Sequence, residues 1–300
     1  MKFTIVTPVH NSEQYIAKTI ESVISQRGNF DIEYLIQDGG SNDGTVSIIK
    51  KYEELLRSRK WNTACHSITF SWRSEQDRGM YDAVNRGFKN ATGDIYAYIN
   101  ADDIYLPDAF QKIASVFETF KDVLWVTGTC PLIDLNDIVF KEGSSYLFNQ
   151  EWIAQGMYGR SAYFIPQNAV FWRSSLWKKS GPCDSQYRYA GDYDLWIKFA
   201  KHAKLWSLDE PISCFRKRPG QLSSNISAYK KEQQKIYPKT QFNDFFIRAF
   251  FSIRARCNGR FESSFLWFYH QTFLEKNALS LKIEEGSVVK KPAYSYFTNK

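Results

Sequence analysis

Cysteine is scarce and scattered: Cys65, Cys130, Cys183, Cys214 and Cys257 are the only five in 300 residues, and no two form a CxxC pair. Such spacing offers neither a zinc module nor a disulfide framework, and the odd count suits reduced, buried thiols in a cytosolic protein. Long apolar runs are missing too. Nowhere do about eighteen apolar residues follow one another, the length that a membrane-spanning helix requires. The chain opens on the strand-like stretch Phe3 to Val9 rather than on a charged, apolar, cleavable leader, so no secretory signal is expected. No internal repeat or low-complexity segment is present. No recognised nucleic-acid module accompanies the formal charge of +7, which disfavours nucleic acid as the partner.

What is there is ordinary in bulk. Hydrophobic residues make up 43% and charged residues 24% of the chain, the balance of a soluble globular protein long enough for one large domain or two small ones and a broad cleft. The positive charge favours anionic partners such as nucleotides or phospholipid head groups. Aromatic residues reach 17% and concentrate late in the chain.

The first hundred residues alternate in pattern. Phe3 to Val9 reads as a strand, and Ile16, Ile20, Val23 and Ile24 keep helical spacing after it, with Asn11 and Gln14 placed like a capping box. Ile32 to Ile36 forms a second strand, QDGGSNDGT a turn, and Val46, Ile49, Tyr52 and Leu56 a second helix face. Ile68 to Phe70 is a third strand, followed by SEQDRG and a helix from about Met80 to Asn90. Repeated strand–helix units predict a mainly parallel sheet covered on both faces, with every loop after a strand on one edge.

The fourth strand, Ile95 to Ile99, ends in Asn100, Ala101, Asp102 and Asp103. Carboxylates at a strand's carboxyl end suit a divalent ion carrying a substrate phosphate. They equally suit a turn that caps the helix beyond Pro107. Farther on, Val123 to Thr127, Ala169 to Trp172 and Ile212 to Phe215 read as strands, a short helix closes at Gly181, and another opens near Asp192. Residues 131 to 165 give no ordered pattern.

TPVHNSEQYI, QDGGSNDGT, SEQDRGMYDAVNRG, GDIYAYINADD and GDYDLW, in that order and spacing, resemble the nucleotide-sugar glycosyltransferases of family 2, and within it the bacterial surface-polysaccharide type. The resemblance covers about residues 1 to 225. It implies an α/β GT-A fold, Rossmann-like, with helices on both faces of the sheet. It implies transfer of a sugar, with inversion, from a nucleoside diphosphate sugar (UDP-sugar favoured) to a hydroxyl of a glycan or lipid-linked acceptor. The alternative is a nucleotide-sugar-binding subunit of a polysaccharide-assembly complex that has lost turnover.

Position by position, the resemblance implies that Asp38 contacts the base and that Pro8, Val9 and Glu13 border the nucleotide. Asp77 and Arg78 lie in the third loop, with Arg78 toward the diphosphate. Asn100, Ala101 and Asp102 meet the donor, with Asp102 the ligand of Mn²⁺ or Mg²⁺, and Gln167 with Asn168 lines either the acceptor or the donor-sugar pocket. Asp192 is the base that takes the acceptor's proton. Two departures stand out. Asn100 replaces the first aspartate of the family's Asp-x-Asp, and Arg218 stands where many relatives carry a metal-binding histidine. An arginine cannot ligate a cation, but with Arg216 and Lys217 it can offset diphosphate charge. Asp43 and Asp103 read as turn and cap residues.

The composition shift near Ala228 suggests a catalytic domain at 1–227 and a helical tail at 228–300. In the tail, Phe245, Phe246, Phe250, Phe251, Phe265, Trp267 and Phe268 interleave with Arg248, Arg254, Arg256 and Arg260. That pattern suits either peripheral contact with the anionic inner face of the cell membrane or packing on the domain or between subunits of a homo-oligomer.

Overall fold

The computed structural model describes residues 1–160, 163–238, 249 and 279–292. The first half runs β1 (Lys2–Val9), α1 (Ile16–Ile24), β2 (Gly28–Asp38), α2 (Thr45–Arg57), β3 (Cys65–Ser74), α3 (Met80–Phe88) and β4 (Ile95–Tyr98). Then come β5 (Ile104–Tyr105), α4 (Ala109–Thr119), β6 (Trp125–Thr129), β7 (Leu132–Ile133), β8 (Val139–Lys141), α5 (Gln150–Ala154), β9 (Val170–Arg173) and α6 (Ser174–Ser180). The chain continues with α7 (Gly191–Ala200), β10 (Leu205–Pro211), β11 (Ser213–Arg216), α8 (Ile226–Ile236), β12 (Leu279–Glu284) and β13 (Ser287–Pro292).

Among the described residues the main sheet has nine strands in the order β13-β12-β10-β6-β9-β4-β1-β2-β3. The pairs β1 with β2, β2 with β3, and β1 with β4 are parallel, as the alternating pattern predicts. β9 enters antiparallel between β4 and β6. A small second sheet, β5-β11-β7-β8, lies beyond the carboxyl edge of the main one.

Both faces of the main sheet are covered, so inner strands such as β1, β4 and β6 are buried along almost their whole length rather than on alternate residues. Along β1, Phe3 and Ile5 join one core with Ile20, Phe110 and Phe171. Val6 points the other way, into a core of Tyr96, Trp125, Trp172, Trp196 and Phe199. The one-residue alternation of a strand therefore divides the molecule into two apolar layers. Close approach is built in at Gly87 of α3, where an added Cβ would lie 2.6 Å from Val6 Cγ1.

Several expectations are corrected. The Asn11–Gln14 capping box does not form: α1 starts after Tyr15 without a side-chain cap, because Asn11 Oδ1 instead accepts the Asn42 N–H of the second loop at 2.9 Å. The proposed boundary at residue 228 falls inside α8. Within the region read as a helical tail, residues 279–292 form a hairpin whose β12 pairs in parallel with β10. The tail's aromatic and arginine run, with Cys257, lies outside the described residues, as does any membrane or subunit contact it makes. Among the described residues no helix is long and apolar enough to cross a membrane, and Cys65, Cys130, Cys183 and Cys214 are free thiols.

Candidate active site

Four loops follow β1 to β4 at the carboxyl edge of the sheet, and the first three are stitched together by side chains. Glu13 Oε2 accepts the Gly44 N–H at 2.6 Å, and Asp43 Oδ2 accepts the Glu13 N–H at 3.1 Å. Thr45 Oγ1 takes the Ser12 N–H at 2.8 Å. Asp43 Oδ1 also takes the Thr45 N–H at 3.0 Å, so Asp43 is the turn residue it was expected to be. An added Cβ at Gly39 would stand 2.7 Å from Asp77 Oδ2, which brings the second and third loops into contact.

Asp38 closes β2 and is buried. Its Oδ2 accepts the Ser41 N–H at 3.0 Å, the Gly40 N–H at 3.2 Å and the Ser74 hydroxyl at 2.5 Å, while Oδ1 takes the Ser41 hydroxyl. Much of its acceptor capacity is thus spent organising the loop. Asp77 is held above the usual carboxylate range by burial, with the Gly79 N–H on its Oδ1 at 2.8 Å. The Arg78 side chain is 75% exposed and reaches Asp82 at 3.2 Å. Pro8 and Val9 are buried in β1, and the Val9 carbonyl accepts the Gly39 N–H at 2.9 Å. Ala101 is buried in the same core as Val9. These three can therefore border a ligand only through the loop edge and not through open side chains.

The acidic end of β4 splits into two roles. Asp103 is fully buried; it caps no helix, since α4 begins after Asp108 without a side-chain cap. Its Oδ1 accepts the Arg216 N–H at 2.9 Å, its carbonyl accepts the Thr19 hydroxyl at 2.8 Å, and its Oδ2 has no donor. Burial first, then the neighbouring Asp102 charge, hold its carboxyl well above the ordinary range. Asp102 is 8% exposed. Its Oδ2 accepts from Arg218 Nε at 2.6 Å and Gln221 Nε2 at 3.3 Å, and its carbonyl accepts from Arg216 Nε at 2.8 Å. Asn100 Nδ2 donates to Gln167 Oε1 at 3.4 Å, and Gln167 Nε2 to the Tyr98 carbonyl at 2.7 Å.

That donor set does not fit a divalent ion held by the chain itself. Asp102 shares its carboxylate with a guanidinium, Asp103 is turned into the protein, and Asn100 is neutral. Among the described residues no group of three or more His, Cys, Asp or Glu side chains is arranged to hold a metal.

Asp192 lies in the first turn of α7, half-buried. Its Oδ1 accepts the Tyr193 N–H at 2.8 Å, the Tyr81 hydroxyl at 3.2 Å and the Tyr229 hydroxyl at 3.3 Å. Oδ2 has no hydrogen-bond partner among the described residues. Burial pushes the carboxyl up to about 6, against the pull of these donors. Tyr98, the last residue of β4, has its own hydroxyl held above the ordinary range by burial and then by the Asp192 charge. Asp192, Tyr193 and Tyr229 line a small pocket completed by Ile153, Phe164 and Trp196.

The structure therefore gathers Glu13, Asp38 and Asp77 in one loop cluster, and Asp102 with Arg218 in another. Asp192 stands at the mouth of α7. Tyr81, Gln221, Tyr229 and Glu232 went unread in the sequence. Only Tyr81 had a local signal, directly following SEQDRGM; the other three sit in segments whose pairing is long-range.

The chain matches the family model described as Glycosyl transferase family 2 over residues 4–179. An uncharacterized glycosyltransferase of Nostoc sp. is 27% identical over 265 residues, 85% of this chain and 79% of that one. A PGL/p-HBAD biosynthesis glycosyltransferase of Mycobacterium bovis is 27% identical over 197 residues, 65% of this chain and 68% of the relative. A structure of S. aureus TarS in complex with UDP-GlcNAc superimposes with a TM-score of 0.56 at 14% identity, covering 97% of each chain. In a longer TarS structure, matched at 0.54 and 15% identity, 92% of this chain spans 45% of the other. A mannosyltransferase of Pyrobaculum calidifontis in complex with GDP-Man and Mn²⁺ matches at 0.51 and 15%, over 74% of this chain and 59% of its own. At such identities the structural likeness shows the fold, and that fold is GT-A.

Proposed function

The chain belongs to glycosyl transferase family 2, and from that premise we propose that it transfers a sugar, with inversion, from a nucleoside diphosphate sugar to a hydroxyl of a glycan or lipid-linked acceptor in cell-surface polysaccharide biosynthesis. A UDP-sugar is the favoured donor. The observation that carries the reading is Asp192: one oxygen is filled by three donors, the other is unpartnered, and the group stands at the loop edge where ligands of open α/β sheets bind.

In the proposed reaction Asp192 Oδ2 accepts the proton of the acceptor hydroxyl as its oxygen bonds to the anomeric carbon. The bond from that carbon to the diphosphate oxygen breaks on the opposite face, and the nucleoside diphosphate leaves with the bonding pair. The first three loops, with Glu13, Asp38 and Asp77, hold the nucleotide; Asn100 and Gln167 meet the sugar. Mn²⁺ or Mg²⁺ is the ion expected with a diphosphate, yet the carboxylates present do not form a set for it. The charge of the departing diphosphate is therefore assigned to the Arg218 guanidinium beside Asp102, a donor geometry suited to phosphate oxygens.

A donor panel of UDP-, GDP- and dTDP-sugars, each with Mn²⁺ or with EDTA, tests this on the parent chain and on Asp192→Asn. The expected result is a fall in kcat of about 10²- to 10⁴-fold in Asp192→Asn with donor affinity kept, and parent turnover that survives EDTA. Unchanged transfer in Asp192→Asn removes the base assignment. An absolute need for Mn²⁺ removes the assignment to Arg218. Donor binding with no turnover under any condition favours the non-catalytic subunit instead.

A further inference from the structure

Asp192 is held by more than its own helix. α7 begins after Ala190, which has no side-chain oxygen to cap the first turn. The backbone leading into the helix is held from α8 instead: Glu232 Oε1 accepts the Arg188 N–H at 2.9 Å, and Oε2 accepts the Tyr189 and Ala190 N–H groups, each at 2.8 Å. Three successive amides thus converge on one carboxylate at the positive end of a helix, where charge-assisted bonds are strongest. One turn earlier on α8, Tyr229 donates to Asp192 Oδ1. The two residues, three apart, face the same way.

Tyr81 cannot do this work alone. Its hydroxyl lies 3.1 Å from the Tyr189 carbonyl and 3.2 Å from Asp192 Oδ1, and one hydroxyl proton serves one acceptor at a time. When it turns to Tyr189, the Tyr229 hydroxyl is the remaining side-chain donor to the carboxylate. α8 is in turn anchored: Asn225 Oδ1 caps it through the Ala228 N–H at 3.1 Å, and Tyr229 and Ile236 pack on Ala190, Tyr193 and Ile197.

We propose that Glu232 and Tyr229 are positioning residues for the acceptor base: Glu232 clamps the backbone of 188–190 so that Asp192 Oδ2 faces the acceptor, and Tyr229 orients the carboxylate through Oδ1. The proposal rests on the reading of Asp192 as base. Both residues lie outside the matched family segment, 4–179, and beyond the boundary that the composition suggested.

The test uses the full chain and the variants Glu232→Gln, Tyr229→Phe and Asp192→Asn, singly and as the pair Glu232→Gln with Asp192→Asn. The groups facing Asp192 are Tyr81 from α3, Tyr98 from β4, Tyr229 from α8 and Cys183 from the loop before α7, so a moved pH limb reports on this cluster. Glu232→Gln keeps one acceptor but sets an amide N–H₂ against backbone donors. It is expected to lower kcat on the order of 10- to 100-fold with donor KM unchanged, as misplacement of a reacting group does. It should have no further effect once Asp192→Asn is present. Tyr229→Phe, a change that leaves the ring packing, should raise the acid limb of the kcat profile by removing a donor to the charged form.

Parental kcat in Glu232→Gln together with an unmoved limb in Tyr229→Phe overturns the proposal. So does an equal loss from Glu232→Gln in both the Asp192 and the Asp192→Asn backgrounds. Parental kcat in Asp192→Asn alone instead overturns the base reading itself, so the two failures are told apart. If Glu232→Gln does not fold, the Tyr229→Phe limb decides.

Discussion

At the scale of single residues, Asp192 is placed at a cost. Its carboxyl ionises near 6 in the folded chain because burial disfavours the charged form, whereas an unfolded chain keeps the ordinary aspartate value of about 4. Between those two values the folded state binds more protons than the unfolded one, so stability falls as pH rises through that window and then levels off. Asp192→Asn should therefore be more stable than the parent at pH 7.5, by no more than about 2–3 kcal/mol, and the two should converge near pH 4. Thermal melts across pH check this; a variant that is less stable at pH 7.5 contradicts it. In the parent, kcat should fall about tenfold per pH unit below an acid limb near 6. Asp102 shows the other side of this balance. Its Oδ2 lies 2.6 Å from Arg218 Nε, so removing Arg218 leaves a buried carboxylate without its ion-pair partner.

At the scale of elements, the site depends on helices that approach too closely for a side chain. An added Cβ at Gly191 would lie 2.6 Å from the Tyr81 ring, and one at Gly87 would lie 2.6 Å from Val6 Cγ1. Each alanine substitution should cost about 1–3 kcal/mol through overpacking. Their functional effects should part: Gly87→Ala loosens α3 on β1 and leaves kcat and KM near parental values, while Gly191→Ala shifts Tyr81 and the first turn of α7 and lowers kcat. Urea denaturation with steady-state kinetics separates the two, and equal kinetic effects would refute the distinction. The helix and strand faces of the first hundred residues were legible because period and composition agree there. The Asn11 cap misled because the same side chain had a better partner 31 residues away, in the second loop.

At the scale of the whole molecule, the hairpin of β12 and β13 belongs to the sheet rather than to an appendage. Leu281 pairs with Leu208 of β10, both fully buried, and Val288 joins the same core. Lys290 lies 4.5 Å from the ring centres of both Phe120 and Trp206, where its stem covers apolar surface and its charge meets the ring faces. Leu281→Ala should accordingly destabilise the whole chain by about 2–5 kcal/mol in a single urea transition. A loss below about 0.5 kcal/mol, the size of an ordinary surface change, would make the hairpin dispensable.

The amino-acid sequence by itself determined the strand–helix alternation, the parallel direction of β1 to β4, the loop edge and the family, since each is written in local period and in motifs of fixed spacing. It also marked Asp38, Asp102 and Asp192 as the carboxylates to examine. Only the tertiary structure decided what each carboxylate faces: Arg218 on Asp102, burial for Asp103, and Tyr81, Tyr229 and Glu232 around the start of α7. Those partners lie 37 to 116 residues away along the chain, and contacts of that kind are set by how the layers pack, not by the pattern of any one stretch.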